Sequence, residues 1–193
     1  KKVGPKPSFQ PSTDYVEILR FAFANEKVVR LHDNPHAEEI ITAALPRYIS
    51  RGKEIWPELT VDTPPIFMRN PKAMLACRTG LMIGIGPADC SINEHHLEEE
   101  TTTTAMMMTI LGIDAQHPLY CLESIAHTDD VDASSPANRL AADIRRRYLF
   151  KTPAIQVWKE ALQNLDNLFL DLLDQDHNCS LDDLGEQIDF ATR

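Results

Sequence analysis

The stretch Thr152-Pro153-Ala154-Ile155-Gln156-Val157-Trp158-Lys159-Glu160-Ala161-Leu162-Gln163-Asn164-Leu165-Asp166-Asn167-Leu168-Phe169-Leu170-Asp171-Leu172-Leu173 decides the fold class. Ile155, Trp158, Leu162, Leu165, Phe169 and Leu172 recur at alternating steps of three and four residues, the a/d spacing of a helix seam. Ala161 and Leu168 broaden that seam into the stripe of a helix packed in a globule. The spacing predicts a helix over 153–173 whose apolar face closes on another helix. The partner helix is expected in the same chain. The alternative is a coiled-coil or dimer contact, which makes Ile155, Trp158, Leu162, Leu165 and Phe169 candidate partner-binding residues.

Pro153 introduces the pattern that organises the rest of the chain. Proline suits the first helical turn, where its missing N–H would lack a partner anyway, and Asn, Ser or Thr before it can accept from the free amides. The same arrangement recurs at Asn34-Pro35, Asn70-Pro71 and Ser135-Pro136, with His117-Pro118 a related case. Ser91-Ile92-Asn93-Glu94 has the spacing of a capping box, and Ser12 or Thr13 can cap a first helix. Helices are therefore expected near 13–31, 35–45, 46–56, 71–83, 92–111, 118–127, 136–150, 153–173 and 181–190. A Pro-rich connector at 57–69 and a polar loop at 128–134 separate them. The expected architecture is all-α: a single-domain bundle of about eight or nine helices over residues 13–193, preceded by an extended Pro/Lys arm at 1–12. Only 65–68 and 81–85 are strand-compatible, and both are too short to predict a sheet.

Composition narrows the class. The 193 residues carry 43% hydrophobic and 25% charged side chains, enough for a packed core. Seven glycines against thirteen prolines argue against a turn-rich β-sandwich. A net charge of −10 argues against a nucleic-acid binder, whose footprint is basic. Cys77, Cys90, Cys121 and Cys179 lie far apart without a CxxC, so free thiols in a reducing, intracellular compartment are expected. No apolar run reaches membrane-spanning length. The sequence starts at Lys1, as expected of a processed chain or a fragment, and a removed targeting segment would place it in an organelle.

Several clusters have ligand chemistry. In Glu94-His95-His96-Leu97-Glu98-Glu99-Glu100, a helix would put His95 with Glu99 and His96 with Glu100 on shared faces, able to hold a divalent metal with one further ligand. The spacing is not HExxH, and acids in a first helical turn also answer the helix dipole. Asp129, Asp130 and Asp132 sit together in the polar loop, at a spacing that departs from the DDxxD of prenyl-chain synthases. The run from Asp174 to Asp182 resembles the start of an EF-hand loop. Asp174, Asp176, Asn178, Ser180 and Asp182 supply oxygens at alternate positions, which implies Ca²⁺ or another divalent metal. Cys179 replaces the turn glycine, and Gly185 stands where the bidentate Glu belongs.

Arg145, Arg146 and Arg147 spread around a helix that precedes an acidic tail. Local charge pairing is expected of them, with a patch for an acidic partner or nucleic acid as the sharper alternative. Gly80 to Gly86 fits neither a dinucleotide fingerprint nor a P-loop, and Gly84 and Gly86 are expected to end a helix. Thr101 to Thr104 and Met106 to Met108 fall inside one expected helix, the methionines as core filling. The leading functional expectation is a non-catalytic interaction or assembly protein, a subunit of a larger complex or a homo-oligomer. The alternatives are a metal-dependent enzyme or Ca²⁺ sensor built on the acidic and His clusters, and a nucleic-acid binder using the arm and the arginines.

Overall fold

The computed structural model describes residues 9–97, 101–124 and 139–174. The arm over residues 1–8, Ser135-Pro136, the Asp129–Asp132 loop and the expected helix at 181–190 lie outside them.

The chain is mostly helical, but it is built on a three-stranded parallel sheet, which corrects the all-α expectation. Helix α1 (Thr13–Asn25) starts where Ser12 accepts from the Tyr15 amide. It ends before Val28-Val29 rather than at residue 31, because the chain turns there into β1 (Val29–His32). Val29 and Leu31 are buried while Arg30 and His32 alternate with them, a period of two that no helix face accommodates. Helix α2 (Ala37–Ala44), a 3₁₀ turn (Leu45–Tyr48) and α3 (Ser50–Ile55) then cross over to β2 (Pro65–Met68). The two-turn α4 (Pro71–Ala76) leads to β3 (Leu81–Met82). Its start is the clearest of the proline starts: Asn70 Oδ1 accepts from the Lys72 and Ala73 amides.

The strand order is β2-β1-β3, with Val29 opposite both Pro65 and Leu81, and a parallel bridge from Ile83 to Ile92 extends the β3 side. Parallel strands require crossovers, which α2 with α3 and then α4 supply. The first crossover carries the chain from β1 to β2 on one side, and the second takes it from β2 past β1 to β3 on the other, so the carboxyl ends of β1 and β3 flank a topological switch point, where open α/β sheets form their ligand crevices.

The expected helix at 92–111 divides. A 3₁₀ turn spans Glu94–His96, Leu97 is extended, and α5 (Thr103–Leu111) restarts behind a Thr102 cap that accepts from Ala105. Ser91 does not cap that turn. Its hydroxyl donates to Pro87 O, and Asn93 Oδ1 receives the His95 amide instead. The methionines Met106, Met107 and Met108 are buried in the core. A 3₁₀ turn at Pro118–Cys121 is capped by His117 Nδ1. The helices α6 (Arg139–Leu149) and α7 (Ala154–Asp174) complete the described chain.

Along α7, Trp158, Leu162, Leu165, Leu168, Phe169 and Leu172 are all buried, and the helix packs on α2, α6 and the 118–121 turn. Phe169 stands edge-on to Tyr48, ring centroids 4.9 Å apart. The seam therefore closes within the chain, and of its five candidate contact residues only Ile155 stays exposed. Among the described residues no helix is long and apolar enough to cross a membrane.

Candidate functional site

The carboxyl edge of the sheet gathers polar side chains from four segments. β1 delivers the chain to Asp33-Asn34-Pro35-His36, where Asn34 takes φ +57° and turns it into α2. His36, rather than Asn34, takes the capping position, its amide donating to Glu39 Oε2 at 2.9 Å. β3 delivers the Gly84-Ile85-Gly86 loop. Gly84 and Gly86 have φ of +67° and +95°, so they shape a loop after a strand instead of ending a helix. The left-handed φ of Gly84 favours glycine, and a Cβ there would also press to 3.2 Å on Glu39 Cγ in α2.

Glu38, in the first turn of α2, faces the start of α5. Its Oε1 accepts the Thr103 amide at 2.7 Å, while the Thr103 hydroxyl donates to Glu94 Oε2. One threonine thus joins two carboxyl groups from separate segments. Burial raises the Glu38 carboxyl to about 8, with the charges of Glu94 and Glu39 adding to the effect and the Thr103 and Thr104 amides opposing it. A carboxyl so raised keeps its proton at neutral pH, as a half-buried acid beside like charges does. Behind it, the Thr42 hydroxyl donates to Glu38 O at 2.8 Å, and Thr42 and Thr104 join their hydroxyls at 2.9 Å in the core.

The His pair is divided by its geometry. His96 Nε2 lies 2.8 Å from Gly86 O, tying the 3₁₀ turn to the loop, while His95 points to solvent with its Nε2 3.5 Å from Glu94 Oε1. The 3₁₀ turn that carries His95 and His96 ends at the extended Leu97, so the continuous helix expected over 92–111 is interrupted there. Glu99 and Glu100 themselves lie outside the described residues, as do Asp176, Asn178, Ser180 and Asp182, while Asp174 is the last residue of α7. Among the described residues no group of three or more His, Cys, Asp or Glu side chains is placed to hold a metal.

The arginine stretch takes the local pairing expected of it at two of its three positions. Arg146 reaches Asp143 at 2.8 Å, and Arg147 reaches both Asp143 at 2.9 Å and Glu160 on α7. Arg145 also makes an interaction of its own. Glu38, the most chemically altered carboxyl of the site, was not singled out in the sequence, because an acid in a first helical turn is ordinary there. Comparison with known protein families, with curated proteins and with solved structures found no match.

Proposed function

We propose that the chain is an enzyme acting on a small ligand at the carboxyl edge of its sheet, with Glu38 as general acid and Glu94 as its charged counterpart. The observation that carries this reading is the raised, half-buried Glu38 carboxyl at the switch point of a parallel sheet. A neutral carboxylic acid at pH 7 can give a proton to a leaving group, and the neighbouring carboxylate can steady the charge that develops. His96, held on Gly86 O, fixes the turn that carries Glu94 against the loop after β3.

The test is turnover of activated ester, phosphoester and glycoside substrates by the full chain, with and without added divalent cations. Activity should fall as pH rises through about 8, where Glu38 loses its proton. Glu38→Gln should remove that limb together with most of the rate. Turnover that is indifferent to Glu38→Gln, or a Glu38 carboxyl found by NMR to titrate in the ordinary range, removes the reading.

A second reading, an assembly protein, is supported by one feature. Leu149 and Phe150, adjacent at the α6–α7 turn, are 82% and 78% exposed. Sedimentation across a concentration series, with Leu149→Ser/Phe150→Ser as the control, tests it. A monomer at every concentration that retains no partner on native purification ends it.

A further inference from the structure

Sulfur is concentrated on the side of the sheet carrying α4. The second hydrophobic cluster consists of Met82, Ile85 and Cys90 with Met68, Met74 and Cys77 packed against them. Five of those six side chains carry sulfur, in a chain with only six methionines and four cysteines. The five come from β2, α4 and its C-cap, β3 and the 85–90 loop, so the fold and not the sequence brings them together.

We propose that this cluster is a binding site for a soft monovalent cation of the Cu(I) type, with Cys77 and Cys90 as thiolate ligands and methionine thioethers completing the set.

The donor chemistry selects the metal. Thiolate and thioether sulfurs are soft ligands that favour Cu(I), whereas a structural Zn²⁺ site takes four thiolate, imidazole or carboxylate ligands. The two cysteines belong to one neighbourhood: Cys90 Sγ lies 3.9 Å from the backbone carbonyl of Cys77, and Cys77 Sγ lies 3.5 Å from the backbone carbonyl of Thr79. Met82 is fully buried, and its Sδ lies 2.9 Å from where a Cβ on Gly86 would stand, so glycine at 86 leaves the thioether its space. One side of the cluster opens outward. Met74 and Cys77 are half-buried, and α4 carries no buried residue, which gives an ion an entry path.

Charge is provided for as well. Arg78 grips Asp89 with contacts of 2.7 and 2.6 Å, and its Nη1 lies 3.8 Å from Cys90 Sγ. A thiophilic cation bound there displaces the thiol protons, each ligating thiol releasing its proton to solvent as the sulfur–metal bond forms. No electron changes hands.

The experiment titrates the full chain, reduced and anaerobic, with Cu(I) supplied as its bicinchoninate complex. The chain should withdraw one ion and show thiolate-to-copper charge-transfer absorption. Cys77→Ser and Cys90→Ala should each weaken binding about 100-fold, and Met82→Leu, which keeps its volume, about 10-fold. Cys121→Ser and Cys179→Ser should change nothing. Thermal melts of the apo variants separate lost binding from lost fold, and Met82→Leu gives a readout if a cysteine variant does not fold. Failure to withdraw copper from the indicator overturns the proposal. So does an affinity that survives removal of both Cys77 and Cys90, or one that falls with Cys121→Ser.

Discussion

Helix α7 and the carboxyl edge of the sheet are held by opposite kinds of interaction. α7 (Ala154–Asp174) is held chiefly by shape: six large apolar side chains are buried against α2, α6 and the 118–121 turn, with Asp166 on Tyr48 and Arg47 and Glu160 on Arg147 as its polar ties. The carboxyl edge is held by hydrogen bonds, with Thr103 between Glu38 and Glu94, Thr42 on Thr104, and His96 on Gly86. A region held by dispersion and burial gains little from being addressed by a proton or a ligand. A region held by protonatable groups responds to both. The difference separates the scaffold of this molecule from its candidate site.

The largest effect should come from breaking the scaffold. Phe169 is fully buried, and its ring edge meets Tyr48. Phe169→Ala should cost about 3–5 kcal/mol, from lost transfer energy and the cavity left behind. Chemical denaturation should show that loss at every pH from 5 to 9. A loss that varies strongly with pH would mean that α7 is coupled to the carboxyl edge more tightly than this contrast allows.

The same contrast explains which parts of the molecule were legible in the sequence. α7 is readable because its periodicity is long and local. The start of α4 is readable because Asn70 and Pro71 need only their next neighbours. β1 left a local trace, Val29 and Leu31 alternating with Arg30 and His32, but it abuts a genuine helix and was absorbed into it. β3 is two residues long, and its strand identity depends on pairing with residues about fifty positions earlier. The Glu94-His95-His96 cluster is visible as chemistry, but nothing local marks the break at the extended Leu97 that confines it to a single 3₁₀ turn. Glu38 left no trace as a site residue, because its raised pKa comes first from burial and then from Glu94, both set by segments remote in sequence, with only the smaller effect of Glu39 being local. The cluster of five sulfurs is equally non-local.

A smaller but more diagnostic effect belongs to the carboxyl edge. Glu38 has a folded pKa of about 8, above its unfolded value. Its contribution to stability is therefore fully present below the ordinary glutamate range and is lost as pH rises through about 8. Glu38→Gln keeps an oxygen for the Thr103 amide but cannot ionise. The variant should show a flatter dependence of stability on pH between 5 and 9. By pH 9 it should exceed the parent by on the order of 3 kcal/mol. Equal slopes for the two proteins would show that Glu38 ionises normally, and the contrast between the regions would lose its electrostatic half.

The smallest effect concerns the arginines, which border α7 without joining its core. Arg146 is 54% exposed and, among the described residues, bonds within its own helix, to Asp143. Arg147 is 25% exposed and reaches across from Asp143 to Glu160 on α7. An exposed pair three residues apart on one helix contributes roughly 0–0.5 kcal/mol, because solvent screens it and both side chains lose freedom in making it. Arg146→Ala should therefore be nearly silent in denaturation. Arg147→Ala should cost about 1 kcal/mol, since it removes a bridge between two helices and leaves Asp143, which is 10% exposed, without that partner. High salt should narrow the gap between the two variants, because screening weakens the bridge in the parent protein. If Arg146→Ala proved as costly as Arg147→Ala, the basic stretch would act as a single charged unit instead of one surface pair and one interhelical tie. Arg145 to Arg147 would then be a patch held ready for an acidic partner.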